Sequence, residues 1–131
     1  MITIVDDDES IRESLPDLIR VFGYSVKAFS SAEDFLKSDS LDSTDCLILD
    51  IAMPEMSGPK LQRELKLRQK DIPIVFITAH IDETDRPRLL EEGAVDCVFK
   101  PFTEDQIIGA VKAALKRSSS LNGDMGPEGD V

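Results

Sequence analysis

The sequence predicts an α/β fold, a doubly wound, five-stranded parallel sheet with five helices covering both faces. Three observations lead there. Five short apolar runs recur between Ile2 and Phe99. Four of them are apolar almost throughout, as strands covered on both faces are. Amphipathic stretches with one-face spacing separate them, and a β-α alternation with right-handed crossovers gives parallel strands.

The first strand is Ile2-Thr3-Ile4-Val5. Behind it Ile11, Leu15, Leu18, Ile19 and Phe22 share one helical face, and Gly23 stops that helix. Pro16 removes a backbone donor inside it, which predicts a kink or a loosened first half. The second run, Ser25-Val26-Lys27-Ala28, carries a charge and reads as an edge strand. A short helix from about Ala32 to Leu36 turns Phe35 and Leu36 inward, and Cys46-Leu47-Ile48-Leu49 is the third strand. The third helix follows Ser57-Gly58-Pro59, with Pro59 in its first turn, and buries Leu61 and Leu65. After the fourth strand, Ile74-Val75-Phe76-Ile77, a fourth helix runs to Glu92 before Gly93. Pro87 weakens its first half, while Leu89-Leu90 anchor the second. Cys97-Val98-Phe99 is the fifth strand. The last helix opens on a capping box, Thr103-Glu104-Asp105-Gln106, and buries Ile107, Ile108, Val111 and Leu115. From Ser118 the composition turns to Ser, Gly, Asn, Asp and Pro. Residues 1–117 therefore read as one domain and 118–131 as a flexible tail or linker.

A chain of 131 residues suits a single domain that needs no staples. Its 15 bases against 26 acids give a net charge of −11, which argues against direct binding of nucleic acid or an anionic membrane. Cys46 and Cys97 stand singly in apolar runs, without the spacing of a disulfide framework or zinc site. A reducing, cytoplasmic setting follows. The apolar runs are too short to cross a bilayer, and no signal peptide opens the sequence.

In an open parallel sheet, ligands bind beyond the carboxyl ends of the strands. Here those ends read Asp6-Asp7-Asp8-Glu9, Asp50, Thr78-Ala79 and Lys100-Pro101. The run Asp6 to Glu9, taken alone, is the acidic first turn of a helix. Beside Asp50 and Lys100 it becomes part of a site. Three carboxylates at one edge repel unless a cation joins them or their pKa values rise, and hard oxygen ligands suit Mg²⁺. Asp50 is then a candidate nucleophile for an aspartyl-phosphate. Lys100 and Thr78 are placed to meet phosphoryl oxygens. The Lys100 ammonium is expected to matter only once that charge arrives, so its loss should damage activation more than folding.

These stretches resemble a response-regulator receiver domain of two-component signalling. The residues that carry the resemblance are Ile4-Val5-Asp6-Asp7-Asp8, Leu47 to Gly58, Ile74 to His80, and Gly93-Ala94-Val95-Asp96 leading to Lys100-Pro101-Phe102. The likeness extends from Ile2 to about Arg117. Ile11-Arg12-Glu13-Ser14-Leu15 and Met53-Pro54-Glu55-Met56-Ser57-Gly58 are most similar to the nitrogen-fixation regulator subfamily, whose full-length members carry a helix-turn-helix output domain. The resemblance implies the flavodoxin-like strand order 2-1-3-4-5. It implies that Asp50 accepts a phosphoryl group from a sensor histidine kinase, and that Mg²⁺ is held by Asp7, Asp50 and the Ala52 backbone carbonyl, with Asp6 acting through water. Thr78 and Lys100 would contact the phosphoryl group, Ala52 and His80 would tune its lifetime, and the Lys100–Pro101 peptide would be cis.

One position departs from the family pattern. The family usually has an aromatic switch residue three positions before the lysine, and here Cys97 stands there. Phe99 shares its strand parity and is expected on the same face, as an exposed aromatic of the output surface. Switching is therefore assigned to the fourth helix and fifth strand, with a phosphorylation-dependent homodimer and a fused or partner DNA-binding domain as the output. The chain is read as a switch and not an enzyme. Two alternatives stay open: a receiver that signals by binding without phosphorylation, and an Mg²⁺-dependent phosphatase with an Asp nucleophile. The second lacks an acid two positions after Asp50, where Ala52 stands. A flavin or dinucleotide site would need a first loop that Asp6-Asp7-Asp8 makes repulsive to phosphate.

Overall fold

The alternating side chains of the apolar runs settle how the molecule is layered. The computed structural model describes residues 1–79 and 85–122. Within them the strands are β1 (Ile2–Val5), β2 (Val26–Phe29), β3 (Cys46–Asp50), β4 (Ile74–Thr78) and β5 (Asp96–Phe99). The helices are α1 (Glu9–Val21), α2 (Ala32–Lys37), α3 (Ser40–Ser43), α4 (Gly58–Leu67), α5 (Asp85–Glu91) and α6 (Glu104–Asn122). All strand pairs are parallel, in the order β2-β1-β3-β4-β5.

The strand period of two sorts the core into two halves. Ile2, Ile4, Cys46, Ile48, Val75, Ile77 and Val98 pack with Leu15 and Ile19 of α1 and Ile107, Ile108 and Val111 of α6. The intervening Val5, Leu47, Leu49, Ile74, Phe76 and Cys97 pack with Phe35 of α2, Leu61 and Leu65 of α4, and Leu89 of α5. Helices thus cover both faces. The edge strands β2 and β5 leave part of themselves open, with Lys27 exposed on the first and Phe99 on the second.

Local sequence explains most helix ends. Asp8 caps α1 by accepting from the Ser10 N–H at 3.0 Å. Ser57 caps α4, and Pro59 sits in its first turn. At α6 the capping box closes in both directions: Gln106 N–H donates to Thr103 Oγ1 at 3.1 Å, and Thr103 N–H to Gln106 Oε1 at 2.9 Å. Gly23 and Gly93 follow α1 and α5 at positive φ, as the predicted stops require.

Several expectations change. A sixth helix, the single turn α3, went unforeseen, because its Ser-Leu-Asp-Ser has no periodicity to detect. Phe22 is 39% exposed at the end of α1 instead of joining its buried stripe. Pro16 lies buried inside a helix that continues unbroken to Val21. Pro87 falls in the first turn of α5, where its missing N–H has no intrahelical role. The composition change at Ser118 falls inside α6, which continues to Asn122.

Candidate functional site

Parallel pairing brings four strand ends to one edge. Register places Val5 beside Leu49, Asp50 beside Ile77, and Thr78 beside Phe99. Backbone bonds extend the order just past the strands: Asp6 N–H donates to Phe29 O at 3.1 Å, Ile51 N–H to Ile77 O at 3.2 Å, and Lys100 N–H to Thr78 O at 2.7 Å. Asp6, Asp50, Thr78 and Lys100, predicted from strand ends far apart in sequence, therefore meet.

Asp6 is fully buried. Its Oδ1 accepts from the Asp8 N–H at 2.9 Å and its Oδ2 from Lys100 Nζ at 2.9 Å, while Arg12 donates to its carbonyl at 3.0 Å. Asp50 is 5% exposed, with Lys100 Nζ at 4.0 Å. Asp7 is exposed at the mouth, and each of the three acids offers an oxygen within 4.8 Å of the others. Thr78 is buried. Ala52 is exposed in the loop after β3, and the Lys100–Pro101 peptide is cis. His80 lies outside the described residues.

Electrostatics follow from this crowding. Burial, then the charge of Asp6 and more weakly that of Asp7, push the Asp50 carboxyl up to about 7. Burial pulls Lys100 down, but its hydrogen bond to Asp6 and the charges of Asp6 and Asp50 outweigh it and hold it above its ordinary value. A set of three close carboxylates, one with its ionisation opposed by the others, is what a hard divalent cation relieves. The donor set therefore fits Mg²⁺.

The raised Asp50 pKa has a consequence without metal. Between the ordinary carboxylate value and about 7, the folded state keeps a proton that the unfolded chain has lost. The stability this group contributes is full below that ordinary value and is lost as pH rises through about 7. In chelator, Asp50→Asn is expected to be more stable than wild type at mildly alkaline pH, by on the order of 1–2 kcal/mol after solvent screening at the open cleft. The gap should close in acid. Equal denaturation midpoints on the alkaline side would contradict the buried-charge account.

Lys100 corrects an expectation. Its ammonium is already engaged by a buried carboxylate, so it is structural before any phosphoryl group arrives. Lys100→Ala should cost the metal-free protein about 1–3 kcal/mol, because it strips the donor from Asp6 Oδ2. Urea denaturation measures this, and an unchanged midpoint would show the pair to be idle. Sequence reasoning also missed Arg12, whose reach to the Asp6 carbonyl six residues back has no signature in spacing.

Cys97 is 3% exposed, packed in the core half that includes Phe76 and Leu89. Burial raises its thiol pKa, and burial pushes Cys46 up to about 12. Both behave as small hydrophobes. Phe99 is 45% exposed and, with Arg86, Pro87 and Leu90, lines a groove of about 340 Å³ beside α5.

A five-stranded parallel sheet in this order, with an acid pair, a buried acid, a hydroxyl and a lysine at its carboxyl edge, defines a response-regulator receiver domain. The family model for that domain matches residues 2–112, and the chain belongs to this family. It is 47% identical over 116 residues to response regulator protein TodT of Pseudomonas putida strain F1, covering 88% of this chain and 51% of that protein. Identity to nodulation protein W of Bradyrhizobium diazoefficiens is 43% over 117 residues, or 89% and 52% of the two chains. Among solved structures it is similar to response regulator StyR, with a TM-score of 0.87 at 38% identity over 94% of this chain and 62% of that one. The FixJ-N structure gives 0.78 at 37% identity, over 88% and 92%. The chain thus spans about half the length of the curated relatives it matches. Receiver domains of two-component regulators work by phosphorylation on an aspartate, and the family binds Mg²⁺ through acidic residues. No helix among the described residues is long and apolar enough to cross a membrane.

Proposed function

We propose that this chain is a phosphoryl-accepting switch in which Asp50 is the acceptor and a sensor histidine kinase the donor. One observation carries the reading. Asp50 ends a central strand, nearly buried, with its carboxylate among Asp6, Asp7 and Lys100. In the proposed step an Asp50 oxygen attacks the donor phosphorus in line, the bond from phosphorus to the kinase histidine nitrogen breaks, and the imidazole leaves. Lys100, already drawn towards the site by Asp6, takes a phosphoryl oxygen. Thr78 at the end of β4 takes another. Asp7, Asp50 and the Ala52 carbonyl would hold Mg²⁺, with Asp6 acting through water, and the bound ion would supply charge neutralisation. Ala52 and His80 are proposed to set phosphoryl lifetime.

The chain is proposed to act in the cytoplasm, with the sheet and its helices as the switching body and a fused or partner DNA-binding domain as the output. The exposed Phe99 and the two-turn α5 support the α5–β5 face as the surface that changes, through a phosphorylation-dependent homodimer. Incubation with acetyl phosphate and Mg²⁺ followed by intact-mass measurement tests the acceptor role. A covalent adduct that localises to Asp50 is the expected result, and no adduct would favour a receiver that signals by binding alone.

Asp7 tests the cation arm separately. Because it is exposed, Asp7→Ala should leave the fold intact while removing tight Mg²⁺ binding, with affinity falling by at least about tenfold. Calorimetric titration that returned wild-type affinity would place the cation elsewhere.

A further inference from the structure

Charge is unevenly distributed on this acidic chain. Residues 58–70 hold five of its 15 bases, Lys60, Arg63, Lys66, Arg68 and Lys70, and only one of its 26 acids, Glu64. Two of the five are neutralised: Arg68 pairs with Glu64 at 2.8 Å and Lys70 with Asp42 at 2.5 Å. Lys60, Arg63 and Lys66 are exposed and have no ion-pair partner among the described residues. On α4 the buried Leu61 and Leu65 fix the inner face, which turns Lys60, Arg63 and Leu67 outward at i, i+3 and i+7. Lys66 flanks them. Leu67 is 79% exposed.

We infer that the outer face of α4 is a docking surface for an acidic protein segment that covers Leu67 and pairs with Lys60, Arg63 and Lys66. Charge complementarity selects the sign of the partner. The stripe is about 10 Å long, close to the Debye length in physiological salt, so a short acidic segment feels it without reaching the acidic remainder of the chain. A nucleic-acid duplex or an anionic membrane extends well past the stripe and meets that remainder, whose net charge is more negative than the −11 of the whole. An apolar residue ringed by cations also matches a protein hot spot with a polar rim better than a phosphate track. The surface is separate from the phosphoacceptor edge, although α4 begins there: Gly58 N–H donates to Ile51 O at 3.0 Å.

A titration of the isotope-labelled full chain tests this by NMR. The probe is a short helical peptide with glutamates at i, i+4 and i+7 around an isoleucine, at low ionic strength. Amide shifts should centre on residues 60–67 in wild type and in Asp50→Asn alike, which separates this outcome from the phosphoacceptor reading. Combined Arg63→Glu and Lys66→Glu should weaken binding by about tenfold or more, and Leu67→Ser several-fold. These exposed substitutions should leave labelling by acetyl phosphate unchanged. Shifts that are absent, lie elsewhere or ignore the charge reversals overturn the proposal. So does tighter binding of duplex DNA or phosphatidylserine vesicles to the same residues.

Discussion

Asp50→Asn is expected to abolish phosphoryl uptake from acetyl phosphate, lowering the yield by at least about a hundredfold. The neighbouring acids cannot substitute. Both Asp6 side-chain oxygens are already engaged, one by the Asp8 N–H and one by Lys100 Nζ, and its carboxylate is fully buried. Asp7 is exposed, and no ion pair holds it to an ammonium among the described residues. Among the described residues only Asp50 combines a central strand end with an ammonium 4.0 Å away whose hydrogen bond goes to a different carboxylate, that of Asp6. Asparagine keeps the shape and removes the nucleophilic charge. Intact-mass analysis after incubation with Mg²⁺ and acetyl phosphate reads the outcome, and an adduct of undiminished yield would mean the acceptor lies elsewhere.

Gly58→Ala is expected to be the most damaging single methyl near the site. Gly58 starts α4 directly against the end of β3. A Cβ there would overlap the Asp50 carbonyl oxygen, and would lie 2.9 Å from Phe76 Cε1 and 3.1 Å from Ile51 Cα. The first and third are backbone atoms and Phe76 is fully buried, so nothing nearby yields without moving β3 and the loop that follows it. We expect a loss of about 3 kcal/mol, against less than about 1 kcal/mol returned by the better helix propensity of alanine. Phosphoryl uptake should fall with it, because Asp50 shifts. A urea midpoint and acetyl phosphate labelling rate both equal to wild type would show that the contact relaxes freely.

The membership of the candidate site was legible because each residue ends an element that its own neighbours specify. Asp6, Asp50, Thr78 and Lys100 each terminate an apolar run, and parallel topology then leaves them one edge to share. The Thr103–Gln106 box was legible for the same reason: both partners lie within one turn. Phe22 was not. It fits the helical period, yet it follows the last turn of α1, where neighbouring elements and not spacing decide what is covered.

By itself the sequence determined the α/β class, the order of the main elements, the two-sided core and the identity of the acid, hydroxyl and lysine set. These depend on period and on nearest neighbours along the chain, which a linear string contains. The tertiary structure alone decided that Lys100 is committed to Asp6 before any phosphoryl group arrives, across 94 residues of sequence. It also decided that Gly58 has no room for a side chain, that Arg12 braces the Asp6 carbonyl, and that Leu67 is left uncovered among cations. Those outcomes are set by distances between segments, and a distance exists only once the sheet has brought the segments together.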